Sequence, residues 1–312
     1  MGKKEDISQY LEKINAYANG KREVVSTGFP KLDEIMGGGF PIGRSIEIFG
    51  DESGGKSSLS VAIAGDLIRS GKKVLLLDTE NSYMPEYAEK LGCDPKKLHV
   101  MKTLESGEDT LDALGNIIKE GMVDVVIVDS MTNIVPHEWL ENAAGQGAIG
   151  RQAAMHGRFL YQTRVDRISN DVSFIFVHQT RAPIGETGPY TIRKSSASTQ
   201  ILHEFHVRIR MSRSHQIKDK DGKIVGYQYR AEIVKNKVGP VKGSAILHYM
   251  IDTGFDKDWD LLDYAVEKEV VEKDGANFSF AGEKIAYGEG KAVAWMRDKD
   301  NAKKIKDALG VS

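Results

Sequence analysis

Residues 50–57 read Gly-Asp-Glu-Ser-Gly-Gly-Lys-Ser, which fits the phosphate-binding pattern G-x-x-x-x-G-K-S/T. An apolar run at 46–49 precedes this stretch, and Leu59, Ile63 and Leu67 follow it four residues apart, as on one face of a helix. A strand, a loop and a helix in this order distinguish a phosphate site from a glycine-rich turn with a surface lysine. Because the loop and the helix N-terminus present N–H groups to an anion, the stretch predicts a nucleoside triphosphate site.

Three side chains form a predicted phosphate and metal site. Lys56 is expected to reach the β- and γ-phosphates, and Ser57 to offer its hydroxyl to Mg²⁺. Asp129 ends the apolar run at 125–128, where a carboxylate can organise Mg²⁺ through water. A strand-terminal Asp is also a common helix cap, but the quality of the phosphate loop favours the metal role.

The composition is that of a soluble chain of 312 residues, with room for one large α/β domain and smaller appendages. No apolar stretch approaches the ~20 residues of a transmembrane helix, and the N-terminus lacks the apolar core of a signal peptide. Cys93 is the only cysteine, which excludes a disulfide framework and fits a reducing cytosol. The net charge of −2 argues against a generally basic nucleic-acid binder, so any such binding must be local.

Residues 1–24 are predicted to be a helix followed by a linker. Apolar residues at helical spacing place a short amphipathic helix at 6–18, and Asn19-Gly20 marks its end. A helix this short is marginal alone, so we expect its apolar face to dock either on its own domain or on a neighbouring subunit.

Residues 25–252 are predicted to be an α/β core, because apolar strands alternate with helices as in a parallel sheet covered on both faces. Asp221-Gly222 predicts a hairpin that extends this sheet with antiparallel strands, one face of which is wet. Residues 253–312 are predicted to be a small α/β domain with a Lys-rich last helix at 299–309. The core strands are predicted at 45–49, 73–78, 123–129 and 173–178, and its helices at 57–70, 107–120 and 151–168.

Polar residues end two further strands, at the edge of a parallel sheet where ligands gather. Asp78 and Glu80 lie at the end of the second strand, and either carboxylate can polarise an attacking water, so the residues alone do not choose between them. Gln179 follows His178 at the end of the fourth strand. Its amide is interpreted either as a γ-phosphate sensor that signals to the next loop or as a hydrogen-bonded strand end.

Two stretches are candidates for nucleic-acid contact. Between residues 151 and 194, seven basic residues oppose three acidic ones, a balance of +4 in a chain of −2. Predicted loops at 138–150 and 181–198 bracket this window, and long loops inside a compact domain are usually functional. Ile149 and Ile184 are aliphatic residues of these loops that can wedge between bases. A solvated charged face is the alternative interpretation.

These residues, in this order, resemble the RecA family of homologous-recombination ATPases, in its bacterial and phage branch. The resemblance spans about residues 26–309, and its most specific segments are Lys235-Asn236-Lys237 and Gly282-Glu283-Lys284-Ile285. It implies a RecA-like phosphate-loop NTPase core that binds ATP and Mg²⁺ at each interface of a helical filament on single-stranded DNA. It also implies pairing with homologous double-stranded DNA, help from loading or single-strand-binding proteins, no membrane, and a bacterial or phage-infected cytoplasm.

The resemblance implies roles for individual residues. Glu80 takes the position of the catalytic glutamate, Gln179 that of the γ-phosphate sensor, and Tyr87 that of an aromatic residue stacked on adenine. Lys235 and Lys237 match lysines that reach the phosphates of the neighbouring subunit, whereas an edge strand protected by charge is the alternative. The predicted nucleotide contacts are Gly50, Asp51, Glu52, Ser53, Gly54, Gly55, Lys56, Ser57, Ser58 and Tyr87. The predicted DNA contacts are Ile149, Gly150, Arg151, Arg158, Arg181, Ile184, Gly185, Arg193, Lys194, Ala197, Ser198 and Thr199.

Several positions depart from the family pattern. Met84 stands where an adenine-contacting Asp is expected, Ala197-Ser198 replaces a Gly-Gly pair, and Ala154 and Tyr161 replace arginines. With a short segment before Ser26 and no long acidic tail, these departures favour a phage-encoded or otherwise divergent member. Two alternatives to a recombinase stay open, namely a nucleotide-gated scaffold that coats DNA without strand exchange and a hexameric helicase-like motor.

Overall fold

The computed structural model describes residues 23–141, 149–181, 194–239 and 243–311 of the chain. Its strands, in chain order, are β1 Val24–Val25, β2 Phe40–Pro41, β3 Ser45–Gly50, β4 Val74–Asp78, β5 His99–Lys102, β6 Val125–Asp129, β7 Ser173–Arg181, β8 Lys194–Ser195, β9 Val207–Lys218, β10 Ile224–Asn236, β11 Ser244–Met250, β12 Gly254–Phe255, β13 Val271–Asp274, β14 Asn277–Phe280 and β15 Glu283–Tyr287. Its α-helices are α1 Pro30–Met36, α2 Lys56–Arg69, α3 Pro85–Lys90, α4 Gly107–Lys119, α5 His137–Glu141, α6 Ile149–Gln162, α7 Arg164–Ser169, α8 Thr199–Leu202, α9 Lys257–Glu267, α10 Glu289–Met296 and α11 Lys299–Leu309.

The central sheet joins strands in the order β12-β11-β10-β9-β3-β7-β6-β4-β5, and β8 pairs with the end of β7. The strands β5, β4, β6, β7, β3 and β9 run parallel to one another, whereas β10, β11 and β12 extend the sheet with antiparallel pairs. The β9–β10 pair confirms the hairpin predicted at Asp221-Gly222. The predicted α/β fold with an antiparallel extension is therefore confirmed.

Both faces of the sheet are covered, because successive residues of each strand point to opposite sides. Val125 and Ile127 join the core beneath α2, which contributes Leu59, Ile63 and Leu67. Val126 and Val128 join the core on the other face, which α4 and α6 cover. The continuous apolar strands of the sequence are thus explained by a sheet buried on two sides.

The C-terminal part of the chain forms a three-stranded antiparallel sheet, β13-β14-β15, packed with α9, α10 and α11. Leu262, Phe278, Met296 and Ile305 form its separate core. The Lys-rich last helix is confirmed as α11. The division of the chain at residues 252 and 253 stays a prediction.

Two predicted features need correction. The helix predicted at 151–168 is two helices that meet at Thr163, whose hydroxyl donates to the Phe159 carbonyl oxygen at 2.9 Å, a contact that bends helices. The loops predicted at 138–150 and 181–198 were too wide, because α5 covers Glu138 to Glu141 and α6 begins at Ile149. Strand pairing also takes up Arg181 and Lys194, and such pairing is not visible in local composition.

The amphipathic helix predicted at 6–18 lies outside the described residues. None of the helices in the described ranges combines the length and the apolar character that crossing a bilayer requires.

Candidate functional site

The phosphate loop connects the end of β3 to the start of α2 with a backbone that needs glycine. A Cβ atom at Gly50 would collide with the Met211 carbonyl oxygen, and Gly55 has φ +80°, in the left-handed region that favours glycine. Gly55 is also the N-cap of α2 and has no side chain to satisfy the first N–H groups of the helix. These free donors form a cradle that fits a polyphosphate.

Lys56 lies inside this loop, and its side chain is largely buried. Its Nζ donates to the Asp51 carbonyl oxygen at 2.7 Å. Burial lowers the pKa of Lys56, against the opposing effect of carboxylates that include Asp129 and Glu80. The loop therefore holds a cation at its centre, where a bound polyanion would lie.

Asp129 and Ser57 lie side by side next to Lys56. Burial raises the pKa of Asp129 to about 6, while a hydrogen bond with the Ser57 side chain opposes the shift and the Glu80 charge adds to it. Within the described ranges, no three His, Cys, Asp or Glu residues cluster as a metal cage. The Ser57 hydroxyl and the Asp129 carboxylate nevertheless fit Mg²⁺, which commonly takes one or two protein ligands and completes its shell with phosphate oxygens and water.

Asp78 and Glu80, which the sequence does not distinguish, lie in different surroundings. Asp78 is buried, and its two oxygens accept the backbone N–H groups of Ser82 and Tyr83 at 3.2 and 3.0 Å. Glu80 is exposed, and Asn133 Nδ2 approaches its Oε1 at 3.4 Å. Asp78 therefore holds the turn, whereas the Glu80 carboxylate is available to a water molecule.

Thr79, which no sequence motif singles out, joins the carboxyl ends of β4 and β6. Its hydroxyl accepts the Ser130 N–H at 2.7 Å and lies 2.9 Å from the Asp129 carbonyl oxygen, to which it can donate. The backbone N–H of Thr79 also donates to that carbonyl oxygen at 3.0 Å. These bonds hold Glu80 and Asp129 at the same edge of the sheet.

Gln179 lies next to the phosphate loop. In the parallel pairing of β3 and β7, Gly50 is opposite Gln179. The following residue, Thr180, donates its hydroxyl hydrogen bond to the Asp51 carboxylate. The side chain of Gln179 is exposed at this point, where it can reach a bound phosphate group.

An aromatic surface flanks the first turn of α2. The Tyr87 hydroxyl is 2.7 Å from Ser58 Oγ and 3.0 Å from the Tyr249 hydroxyl. Burial and the hydrogen bond with Tyr87 raise the pKa of Tyr249, so the Tyr249 phenol is neutral. Tyr249 was missed in the sequence because it is one of several alternating residues of β11. Together with the exposed Met84, these rings suit a planar base.

Lys235 and Lys237 lie at the opposite end of the strands from the phosphate loop. Lys235 pairs with Arg208 near the start of β9, whereas Gly50 pairs with Met211. Lys235 Nζ donates to the Leu202 carbonyl oxygen at 3.1 Å, and the N–H of Lys237 donates to the His206 carbonyl oxygen at 2.8 Å. Neither lysine therefore belongs to the phosphate site of its own chain.

Two groups of the predicted DNA contacts lie on the β7–β8 pair and on α6. Arg181 and Lys194 are exposed and directly opposite each other in the β7–β8 pair. Ile149, Gly150, Arg151 and Arg158 lie on α6, where Arg151 forms an ion pair with Glu138.

The remaining predicted DNA contacts are less accessible or lie beyond the described residues. Ala197 is buried and packs in the second core cluster, so its role as a DNA contact stays a prediction. Ser198 is the N-cap of α8, and Thr199 is its first residue. Ile184, Gly185 and Arg193 lie outside the described residues.

The chain matches two protein-family models. The RecA N-terminal domain matches residues 8–256, and the RecA C-terminal domain matches residues 259–309. The two matches cover nearly all of the chain and agree with the mostly parallel sheet, the phosphate loop and the small C-terminal domain described above. The chain therefore belongs to the RecA family.

Proposed function

We propose that this protein is a DNA-dependent ATPase that forms filaments on single-stranded DNA and catalyses homologous pairing and strand exchange with double-stranded DNA. The position of Lys235 is the observation that carries this proposal. Three residues along β9 and two strand spacings separate it from the phosphate loop, about 10 Å in each direction. A lysine side chain does not cover that distance, so Lys235 can act on a phosphate only in another subunit.

Each residue around the phosphate loop has a separate role in the proposed ATP hydrolysis. The loop N–H groups and Lys56 bind the phosphates, and Ser57 and Asp129 would hold the metal. Bound Mg²⁺ neutralises charge on the phosphate oxygens. Glu80 orients and polarises the attacking water, and Tyr87 stacks on the adenine. Gln179 contacts the γ-phosphate from β7.

The basic pair Arg181 and Lys194 supports a DNA-contacting role for the second loop. Both side chains are exposed at the end of the strand that carries Gln179. Contacts of this kind hold DNA through its phosphates and leave the bases free to pair with a homologue. A filament built in this way accepts any sequence.

The proposal is tested by ATP hydrolysis measured with and without single-stranded DNA, over a range of protein concentrations. The salt concentration is fixed, because phosphate contacts weaken steeply as salt rises. We expect stimulation by DNA that depends cooperatively on protein concentration, because each site needs two protomers. Unstimulated turnover at all concentrations would contradict the proposal.

Strand exchange separates the recombinase from a scaffold that only coats DNA. The scaffold deserves this test because Arg151 is paired with Glu138, and the exposed Tyr161 stands where the family has an arginine. A strand-exchange assay with a labelled single strand and a homologous duplex should release the displaced strand when ATP and Mg²⁺ are present. Filaments without displaced strand would favour the scaffold, and closed hexamers would favour a helicase-like motor.

A further inference from the structure

Glu47 is a fully buried carboxylate in the strand that leads into the phosphate loop. It belongs neither to the phosphate site nor to the DNA-contacting residues, and the sequence pattern gave no reason to select it. An isolated ionised carboxylate in a protein core is strongly unfavourable, so such a group is retained only with partners. The partners of Glu47 come from three different strands.

Two of these partners approach Oε1 of Glu47 and the third approaches Oε2. The Ser195 hydroxyl, on β8, donates a short hydrogen bond to Oε1, and His178 Nδ1, on β7, lies 3.1 Å from the same atom. Arg208 Nε, on β9, donates to Oε2. Burial raises the pKa of Glu47, but His178, Ser195 and Arg208 outweigh it, so the net shift is downward and the carboxylate is ionised.

Ser195 connects this carboxylate to residues 194–198, the segment that leads from β8 to α8. Its hydroxyl accepts the Ala197 N–H at 3.1 Å, and its backbone pairs with Thr180. The next residue, Ser196, donates its N–H to the Gln179 carbonyl oxygen at 2.8 Å. Glu47 thus holds β8 against the part of β7 that carries Gln179.

We propose that Glu47 is a positioning residue that fixes β8 to β7, so that contact of Gln179 with nucleotide sets the geometry of the DNA-facing pair Arg181 and Lys194. This inference rests on the proposed function for the meaning of that geometry. Its structural part, the link from bound nucleotide through Glu47 to residues 194–198, can be measured without DNA.

A purely structural role for Glu47 makes a different prediction. If the carboxylate only stabilised the core, loss of the Ser195 hydroxyl would lower thermal stability and leave every nucleotide response intact. If Glu47 positions β8, loss of this hydroxyl uncouples the 194–198 backbone from nucleotide binding while the phosphate loop still responds. Ser196 provides a matched control, because its hydroxyl has no hydrogen-bond partner within the described ranges.

The first test is amide hydrogen exchange of the full chain with and without adenylyl-imidodiphosphate and Mg²⁺. In the unmodified protein, nucleotide should slow exchange both in the phosphate loop and at residues 194–198. Ser195→Ala should keep the phosphate-loop protection and lose most of the protection at 194–198, whereas Ser196→Ala should keep both. Absence of nucleotide-dependent protection at 194–198 in the unmodified protein, or equal behaviour of the two variants, would overturn the inference.

The second test asks whether Ser195 acts through Glu47. We expect Ser195→Ala and Glu47→Gln each to raise the DNA concentration needed for half-maximal ATPase stimulation about tenfold, the effect of one hydrogen bond to a charged group. The double variant should resemble the single variants, because both break the same link. Multiplied effects in the double variant would contradict a shared link.

The two proposals fail in distinguishable ways. Nucleotide-dependent protection at 194–198 that requires Ser195, in a protein whose turnover ignores DNA, would reject the proposed function and retain the link through Glu47. Strong stimulation by DNA that Ser195→Ala leaves unchanged would retain the proposed function and reject the link.

Discussion

Lys56 Nζ donates a hydrogen bond to the carbonyl oxygen of Asp51, with 2.7 Å between the two atoms. The ammonium group at the start of α2 is thereby held to the backbone at the other end of its own loop. Surrounding N–H groups lie at the helix N-terminus, so positive charge from two sources converges on one small volume. A polyphosphate is the ligand that best matches this arrangement.

We expect Lys56→Ala to lower kcat for ATP about 100-fold or more, because one preorganised donor to a transition-state oxygen is worth that much. ATP hydrolysis by the purified variant measures the effect. The exposed Lys73 gives the matched control, and Lys73→Ala should hydrolyse ATP at the unmodified rate. Normal hydrolysis by Lys56→Ala would show that the phosphate-loop assignment is wrong.

Asp78 and Glu80 should separate into a structural and a catalytic carboxylate. Glu80→Gln keeps the shape of an exposed side chain and removes its ability to polarise water, so we expect kcat to fall about 100-fold with ATP affinity unchanged. Asp78→Asn places an NH₂ group against a backbone N–H donor of Ser82 or Tyr83, which should cost about 1–3 kcal/mol of stability.

Thermal unfolding and single-turnover hydrolysis of both variants measure this separation. A large loss of Tm in Glu80→Gln, or a large loss of hydrolysis in a fully folded Asp78→Asn, would reverse the two roles.

The contrast between these carboxylates shows what the sequence could and could not reveal. The phosphate loop and the buried strands are local patterns, so the parallel core and the place of Lys56 could be predicted. Thr79 and Asp129 are 50 residues apart, and Glu47 and Ser195 are 148 apart. Their contacts depend on which strands become neighbours, and a single sequence without pairing information does not specify this. The extent of the two loops was misjudged for the same reason.

Tyr87 is expected to act through its ring rather than through its hydroxyl. Tyr87→Ala removes a stacking surface and should raise KM for ATP about tenfold. Tyr87→Phe loses the hydrogen bonds to Ser58 and Tyr249 but keeps the ring, so its KM should stay within about twofold of the unmodified value.

ATP titrations of initial rates measure both changes. Tyr287 is exposed on the C-terminal sheet, and Tyr287→Ala is the matched control that should leave KM unchanged. An equal rise in KM for Tyr87→Phe and Tyr87→Ala would assign the role to the hydroxyl.

His248 should make the attachment of the C-terminal domain sensitive to pH. It is buried, stacks on Trp259 at 4.2 Å, and its Nδ1 lies 2.8 Å from Asp260 Oδ1 on α9. Burial lowers the pKa of His248, but Asp260 and the nearby carboxylates outweigh this and raise it above its ordinary value. Burial raises the pKa of Asp260 to about 6. Both groups therefore bind protons more tightly when folded.

The sign of the effect follows from linkage. A folded pKa above the unfolded value gives stability that is present at low pH and lost as pH rises through the folded pKa. We expect Tm to fall as pH rises above about 6.5, the ordinary pKa of histidine, and through the raised pKa of folded His248. His248→Gln should flatten this slope, and His215→Gln, at an exposed histidine, should retain it. A slope that persists in His248→Gln would contradict the assignment.

Two inactive variants should restore activity to each other if Lys235 acts in a neighbouring subunit. Lys235 lies at the far end of β10 from its own phosphate loop, so Lys235→Ala should bind ATP normally and lose DNA-stimulated turnover. Lys56→Ala keeps an intact Lys235.

In an equal mixture, head-to-tail assembly makes about a quarter of the interfaces from the intact Lys56 of one subunit and the intact Lys235 of the next. Turnover of the mixture on single-stranded DNA should therefore recover to a similar fraction of the unmodified rate. The Lys56→Ala, Lys235→Ala double variant is the control, and its mixture with either single variant should stay inactive because one of the two lysines is then missing from every subunit. No recovery in a mixture that forms filaments normally would place the function of Lys235 within its own chain.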